Sequence, residues 1–242
     1  RLMNNFFCNK SYVNIYEQPK TNSKISTQII YGEKFKVLKK LNNFLKIKTS
    51  YDKYVGYIKN SNFSRKIRST HKIKVLKAKI YNSRNFLPFS SKIEILRETK
   101  NYIMFEKNKW IKKIDIIEIK KKDKEFKKIF KLFLNCRYKW GGKTYNGIDC
   151  SALIQLYYKF NNKFFPRDTI DQIKLKKGLN YKKMYKKGDL IFWKGHVAAC
   201  LNSKDLIHAY GPRKKVVIMP IKKTIRLIEK TANLKVKKII SI

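Results

Sequence analysis

Acidic residues are scarce: 16 Asp and Glu stand against 59 Lys and Arg, a formal net charge of +43 over 242 residues. Such an excess favours anionic partners, whether nucleic acid, a membrane surface or a wall polymer. The lysines, however, are scattered through every segment, and Asn, Ile, Phe and Tyr run high with them, as AT-rich coding produces. Compositional drift accounts for the charge better than selected nucleic-acid binding, which concentrates its cations. No RNA- or DNA-reading motif is recognisable, so no dedicated nucleic-acid binding is expected.

Cysteine is equally sparse. The four residues, Cys8, Cys136, Cys150 and Cys200, form no C-x-x-C pair and no zinc-ligand spacing, so no metal site is expected. So few cysteines in a chain of this size also exclude a disulfide framework, leaving free thiols. Histidines number three: His71, His196 and His208. No apolar run reaches the length of a membrane span, and no transmembrane segment is expected. The first residue is Arg1, which leaves a trimmed initiator or signal peptide open.

What is present suffices for packed cores: 43% of residues are hydrophobic and 14% aromatic. The length fits one large domain or two to three small ones. After a tail over residues 1–10, short alternating runs such as "YVNIY", "STQIIYGEKFKVL", "NFLKIKT" and "KYVGYIK" fill residues 11–66. Pro, Asn, Gly and Asp separate them, which predicts a small antiparallel barrel of about five strands. A looser version of the same order fills residues 67–120, with "KIKVLKAKIYNS", "SSKIEILRET", "NYIMFEK" and "NKWIKKIDIIEI", and predicts a second copy. The lysine-rich stretch near Lys120 then opens a third unit, residues 121–242. There Phe126, Ile129, Phe130 and Phe133 recur at the spacing of one helix face.

The stretch "YKWGGKTYNGIDCSALIQLYYKF" is punctuated in a way that calls for a reason. Glycines permit tight turns, and Ala152, Leu153, Leu156, Tyr157 and Phe160 follow at helical spacing, which puts Cys150 in a first helical turn. Unpaired N–H groups and the macrodipole there favour an anion, so a thiolate of lowered pKa is expected. A small buried residue with no chemistry is the plainer alternative. His196 and His208 decide between them. Both lie downstream in strand-like runs, "GHVAACLN" and "DLIHAYG", and antiparallel pairing would let their rings face one side. His196 then takes the thiol proton while His208 orients it.

The last third resembles the NlpC-type cysteine peptidases, whose compact papain-like α+β fold cleaves amide bonds in wall peptides. The resemblance rests on six blocks in order: "YKWGG", "GIDCSAL", "FPRDTIDQ", "KKGDLIFW", "GHVAACL" and "LIHAYG". Ala152 departs from the usual glycine after "DCS", and "HVAAC" from a commoner "HVGIY". Both earlier segments resemble bacterial SH3-like domains, so the fold class expected is α+β, two small SH3-like barrels ahead of a papain-like catalytic domain.

The resemblance implies Cys150 as nucleophile, His196 as general base, His208 as the polar third member and Tyr138 beside the oxyanion. It also implies the branch that cuts γ-D-glutamyl to diamino-acid bonds in wall-derived peptides with a free N-terminal L-alanine. Asp149 and Ser151 match the amine-binding positions, Thr169 stands where serine is frequent, and Trp140 matches a substrate-lining position. Glu33 in "YGE" and Tyr57 in "GYI" are candidates for the acidic residue and tyrosine that the first barrel contributes; a turn carboxylate and a barrel tyrosine are the alternatives. No cofactor is implied. A monomer recycling trimmed muropeptides in a bacterial cytoplasm is expected, or a periplasmic or secreted protein if a signal peptide was trimmed. A secreted endopeptidase on intact wall and a non-catalytic polyanion binder remain as alternatives.

Overall fold

The computed structural model describes residues 5–241. Its first β unit is built from β1 (Asn5–Phe7), β2 (Tyr12–Tyr16), β3 (Ile25–Ile30), β4 (Lys34–Leu41), β5 (Phe44–Thr49) and β6 (Val55–Lys59). They form one antiparallel sheet in the order β1-β4-β5-β6-β2-β3. Alternation drives Ile15, Ile29, Phe35, Ile47 and Ile58 inward to a common core. The expected N-terminal tail is corrected here. Asn5, Phe6 and Phe7 pair with Lys36, Phe35 and Lys34, and Phe6 stacks on Phe35; residues 1–4 lie outside the described residues. An aromatic pair beside a free sheet edge favours pairing over a loose end.

The second β unit is more fragmented. Its strands are β7 (His71–Ile73), β8 (Lys77–Lys79), β9 (Phe86–Pro88), β10 (Lys92–Ile93), β11 (Arg97–Glu98), β12 (Tyr102–Glu106), β13 (Lys109–Lys112) and β14 (Ile116–Glu118). They fall into three small sheets, β10-β7-β14, β11-β12-β13 and β8-β9, around a core of Ile73, Leu87, Ile93, Ile103 and Ile111. Tyr31 of the first unit packs into that core. The two units approach closely at Gly32, whose φ of +81° and contact with the Lys92 carbonyl leave no room for a Cβ.

The C-terminal unit carries α1 (Phe126–Leu132), β15 (Lys143–Thr144), β16 (Gly147–Ile148), α2 (Cys150–Phe160), α3 (Thr169–Gln172), β17 (Asp189–Trp193), β18 (His196–Cys200), β19 (Asp205–Tyr210), β20 (Lys215–Pro220), α4 (Ile221–Ala232) and β21 (Lys238–Ser241). Its antiparallel sheet has the order β20-β19-β18-β17-β21. The central strands are apolar on both sides because both faces are covered. Leu190, Phe192, Val197 and Ile207 join the residues of α1 and α2, while Ile191, Trp193, Ala198 and Leu206 join those of α4. Phe126, Ile129, Phe130 and Phe133 are all buried, as their spacing predicts.

Both β units grip α2. Gln155 donates to Asp52 at 2.9 Å, the buried Lys159 ammonium meets Glu33, and Lys143 lies 3.5 Å from the same Glu33 oxygen. From the second unit, buried Lys72 donates to the carbonyls of Ile119, Lys121 and Phe160, spending its three N–H groups on three acceptors. Phe89 stacks on Phe160 at 4.8 Å. Among the described residues no helix is long and apolar enough to cross a membrane.

Removing one partner of a buried ion pair leaves the other charge uncompensated, at a cost of about 3–5 kcal/mol. Glu33→Ala strands Lys159 and Lys143, which are 3% and 2% exposed, so a loss of that order in denaturant unfolding is expected. A loss below about 1 kcal/mol would show that neither lysine depends on Glu33.

Candidate active site

The glycine-rich turn before α2 is held by one buried ion pair. Asp149 caps the helix, its Oδ1 accepting from the Ala152 N–H at 2.9 Å and from the Ser151 hydroxyl at 3.2 Å. Its Oδ2 accepts from the Gly141 N–H at 2.9 Å, and Arg167 donates to both oxygens at 3.0 and 2.7 Å. Arg167 also donates to Ser151 Oγ at 2.8 Å and to Thr27 Oγ1, on β3, at 2.7 Å. Gly141 has a φ of +72°, and a Cβ there would sit 2.5 Å from the Ile25 carbonyl, so the loop can lie against the first β unit only as glycine.

Cys150 is the first residue of this helix, buried, with its sulfur beside the backbone N–H groups of Val197 and Ser151. Val197 follows His196, so the thiol lies where the second strand of the catalytic sheet begins. β18 and β19 are antiparallel neighbours, and His196 Nε2 lies 2.9 Å from His208 Nδ1. His208 is fully buried, stacked on Tyr210 at 4.5 Å, with its Nε2 3.3 Å from the Met219 sulfur.

The expected thiolate is corrected. Burial and the nearby Asp149 carboxylate push the Cys150 thiol up to about 12, outweighing the backbone N–H groups and Arg167. Burial likewise lowers His196 to about 4 and, with the neighbouring His196 adding to it, His208 to about 2. The resting pair is a neutral thiol and a neutral imidazole. A thiolate at Cys150 would therefore have to form together with its attack on an electrophile and not before it.

A cavity of about 230 Å³ opens beside the sulfur, lined by Glu17, Ser26 and Tyr54 of the first β unit and by Tyr138, Trp140, Asp149, Ser151, Asp168, Thr169 and Gly195 around Cys150. Tyr138, Trp140, Asp149, Ser151 and Thr169 are thus brought together. Glu33 and Tyr57 are not. Burial pushes Glu33 up, but Lys143 and Lys159 beside it hold it below its usual range, as a structural carboxylate accepting from the Ile30 N–H at 2.7 Å. Tyr57 stands in β6 opposite Tyr16 and Lys46, with the Lys46 ammonium 5.8 Å from its ring. The carboxylate and tyrosine that reach the cavity from this unit are Glu17, one residue beyond β2, and Tyr54, one residue before β6. Local sequence gave no signal separating them from neighbouring turn residues.

Arg167 and Asp168, inside "FPRDTIDQ", were likewise not singled out. The signal for Arg167 was the need of a buried Asp149 for a cation in a water-poor turn. Asp168 is half-buried near Tyr54; burial raises its carboxyl, and Arg167 partly offsets that. Of the three carboxylates that line the cavity, Asp149 is filled by Arg167 and backbone donors, whereas Asp168, bonded to Tyr54, and the exposed Glu17, 3.8 Å from the Lys24 ammonium, are less fully engaged.

Residues 135–231 match the NlpC/P60 family and residues 11–64 match the bacterial SH3 domain. The dipeptidyl-peptidase 6 of Lysinibacillus sphaericus is 24% identical over 233 residues, 81% of this chain and 84% of that protein. The gamma-D-glutamyl-L-lysine dipeptidyl-peptidase of Bacillus subtilis is also 24% identical, covering 85% of this chain and 79% of its own length. The crystal structure of an NlpC/P60 family protein from Bacillus cereus shares the fold with a TM-score of 0.78 at 19% identity, over 90% of this chain and 94% of that one.

Both imidazoles lie below the ordinary histidine value of 6.5, so on acidification the unfolded chain binds more protons and stability is lost. The melting temperature is expected to fall between about pH 7 and about pH 5, and His208→Asn to flatten part of that fall. A melting temperature constant over that range would contradict the buried neutral pair. The C-terminal part of the chain is an NlpC/P60 peptidase domain of the cysteine-type hydrolase class, carried behind a bacterial SH3 domain.

Proposed function

We propose that the protein hydrolyses the γ-D-glutamyl to diamino-acid bond of wall-derived peptides bearing a free N-terminal L-alanine. The observation that carries this reading is the wall of the Cys150 cavity contributed by Glu17, Ser26 and Tyr54. A pocket walled on one side by another folded unit and edged by Glu17 and Asp168 suits a short peptide ending in an ammonium group. Asp149, already satisfied, keeps the turn and the first helical residue in place instead of binding the amine.

His196 removes the Cys150 thiol proton as sulfur attacks the γ-carbonyl. The Cys150 N–H, which has no partner within its helix, and the Tyr138 hydroxyl receive the developing oxyanion. The His196 imidazolium protonates the leaving amine of the diamino acid, and a thioester remains. Water deprotonated by His196 attacks the thioester, L-Ala-γ-D-Glu leaves as its carboxylate, and the proton returns to the thiol. Trp140 and Thr169 line the way in. The second β unit is read as a divergent copy of the first, placed so that Lys72 and Phe89 secure the far end of α2. The role proposed is the recycling of already trimmed peptides by a monomer in the cytoplasm.

L-Ala-γ-D-Glu-diaminopimelate and its N-acetylated form, followed by mass spectrometry with Cys150→Ala as control, test the reading. Release of L-Ala-γ-D-Glu from the free amine alone is expected. Glu17→Gln is expected to reduce kcat/KM by about 10- to 100-fold, the loss of one charge-assisted contact. Equal cleavage of both peptides would sink the closed amine pocket and favour an endopeptidase on intact wall. Cleavage of neither would favour a binding protein.

A further inference from the structure

His208 makes two contacts, and their chemistry is unequal. Its Nδ1 faces His196 Nε2 at 2.9 Å, and its Nε2 faces the Met219 sulfur at 3.3 Å. A neutral imidazole has one N–H and one bare nitrogen, and a thioether accepts hydrogen bonds but has no proton to give. Only one arrangement satisfies both contacts. His208 carries its proton on Nε2 and donates it to Met219, and its bare Nδ1 accepts from His196 Nε2–H. The proton of His196 is then fixed on Nε2, which leaves His196 Nδ1 bare, as its proposed role as base requires.

The opposite tautomer fails at both ends. With the proton on His208 Nδ1, its bare Nε2 would face the sulfur lone pairs. His196 would have to accept at Nε2 and carry its own proton on Nδ1, where it could not serve as a base. The geometry points to Met219 as a positioning residue that sets the tautomer of the His208–His196 pair. Nothing else stands within bonding distance of His208 Nε2 among the described residues.

The local structure holds the sulfur there. Met219 lies on β20, paired with Leu206 of β19, and His208 pairs with Val217 two residues along the same strand. Met219 is 9% exposed and packs with Leu206 and Tyr210, and Tyr210 stacks on the His208 ring at 9° between planes. Water has little access to Nε2, since His208 is fully buried, so the thioether takes the place a water or carbonyl would fill.

The inference rests on the proposed role of His196 as base, but part of its test needs no substrate. In the full-length protein labelled with 15N, long-range proton–nitrogen spectra are expected to show His208 protonated on Nε2 and bare on Nδ1. Met219→Leu keeps the volume and removes the acceptor. It is expected to mix the tautomers and lower kcat about three- to fivefold at unchanged KM, the size of one weak hydrogen bond. Met219→Gln restores an acceptor and is expected to recover the Nε2–H pattern and most of kcat. A wild-type His208 protonated on Nδ1 overturns the inference by itself, even should Met219→Leu fail to fold. So does a Met219→Leu protein with unchanged spectrum and kcat, or a Met219→Gln protein impaired as much as Met219→Leu, which would indicate packing alone. Absence of peptidase activity in the wild type would instead count against the proposed function and leave the nitrogen spectra to be judged separately.

Discussion

The compensation of charge around a single helix constrains everything else in this chain. With 16 acidic residues against 59 basic ones, a buried lysine or arginine has few carboxylates to meet. Three of them, Glu33, Asp52 and Asp149, are drawn to the length of α2. Asp149 caps its start, Asp52 holds Gln155 in its middle and Glu33 compensates Lys159 near its end. The remaining buried cation, Lys72, has no carboxylate and is satisfied by three carbonyls instead. Each contact except the cap comes from outside the catalytic unit, so the orientation of Cys150 depends on how the β units dock.

The same burial that fixes the helix sets the chemistry. A helix N-terminus favours a thiolate, but the favour is modest, at most about 2 kcal/mol in partly buried sites. Removing a thiolate from water in a closed pocket costs more, and Asp149 adds repulsion. The thiol therefore stays protonated, the imidazoles stay neutral, and no thiolate–imidazolium pair exists at rest. In the mechanism proposed, reactivity depends on proton transfer from Cys150 to His196, which makes the tautomer of that ring as important as its pKa. A protonated His196 at rest would be unable to accept the thiol proton, so the low value imposed by burial keeps the base competent across the neutral range.

How far this was legible in sequence divides along a physical line. Cys150, Tyr138, His196 and His208 could be placed because each stands in a segment whose local pattern fixes its setting: a glycine turn before a helical period, or a histidine in an apolar strand. The strand pairing that joins the two histidines followed from two adjacent apolar runs. Glu33 and Tyr57 were misassigned because a turn carboxylate and a strand tyrosine carry no mark of which way the docked unit faces. Glu17 and Tyr54 lie at strand ends, and only the packing of one unit on another turns them toward the cavity. The lowered thiol pKa was misjudged for a related reason. The helix position is visible in sequence, whereas the desolvation that overrides it is a property of the assembled pocket.

That assembly ties specificity to stability. The surface of the first β unit that closes the cavity, with Ser26 and Tyr54, adjoins the surface that anchors the catalytic turn, with Thr27 on Arg167, Gln28 on Lys143 at 2.8 Å and Ile25 against Gly141. β3 supplies residues to both, Ser26 to the cavity and Ile25, Thr27 and Gln28 to the turn. A shift of β3 to admit a longer substrate would therefore pull Thr27 from Arg167 and loosen the cap under Cys150. The pocket cannot be widened there without disturbing Cys150, a coupling that fits the short peptides proposed as substrates. Thr169, exposed Ile170 and Gly195 also border the cavity, and of the short helix that carries the first two it is Gln172 that ties to α2, through the Ser151 carbonyl at 3.0 Å.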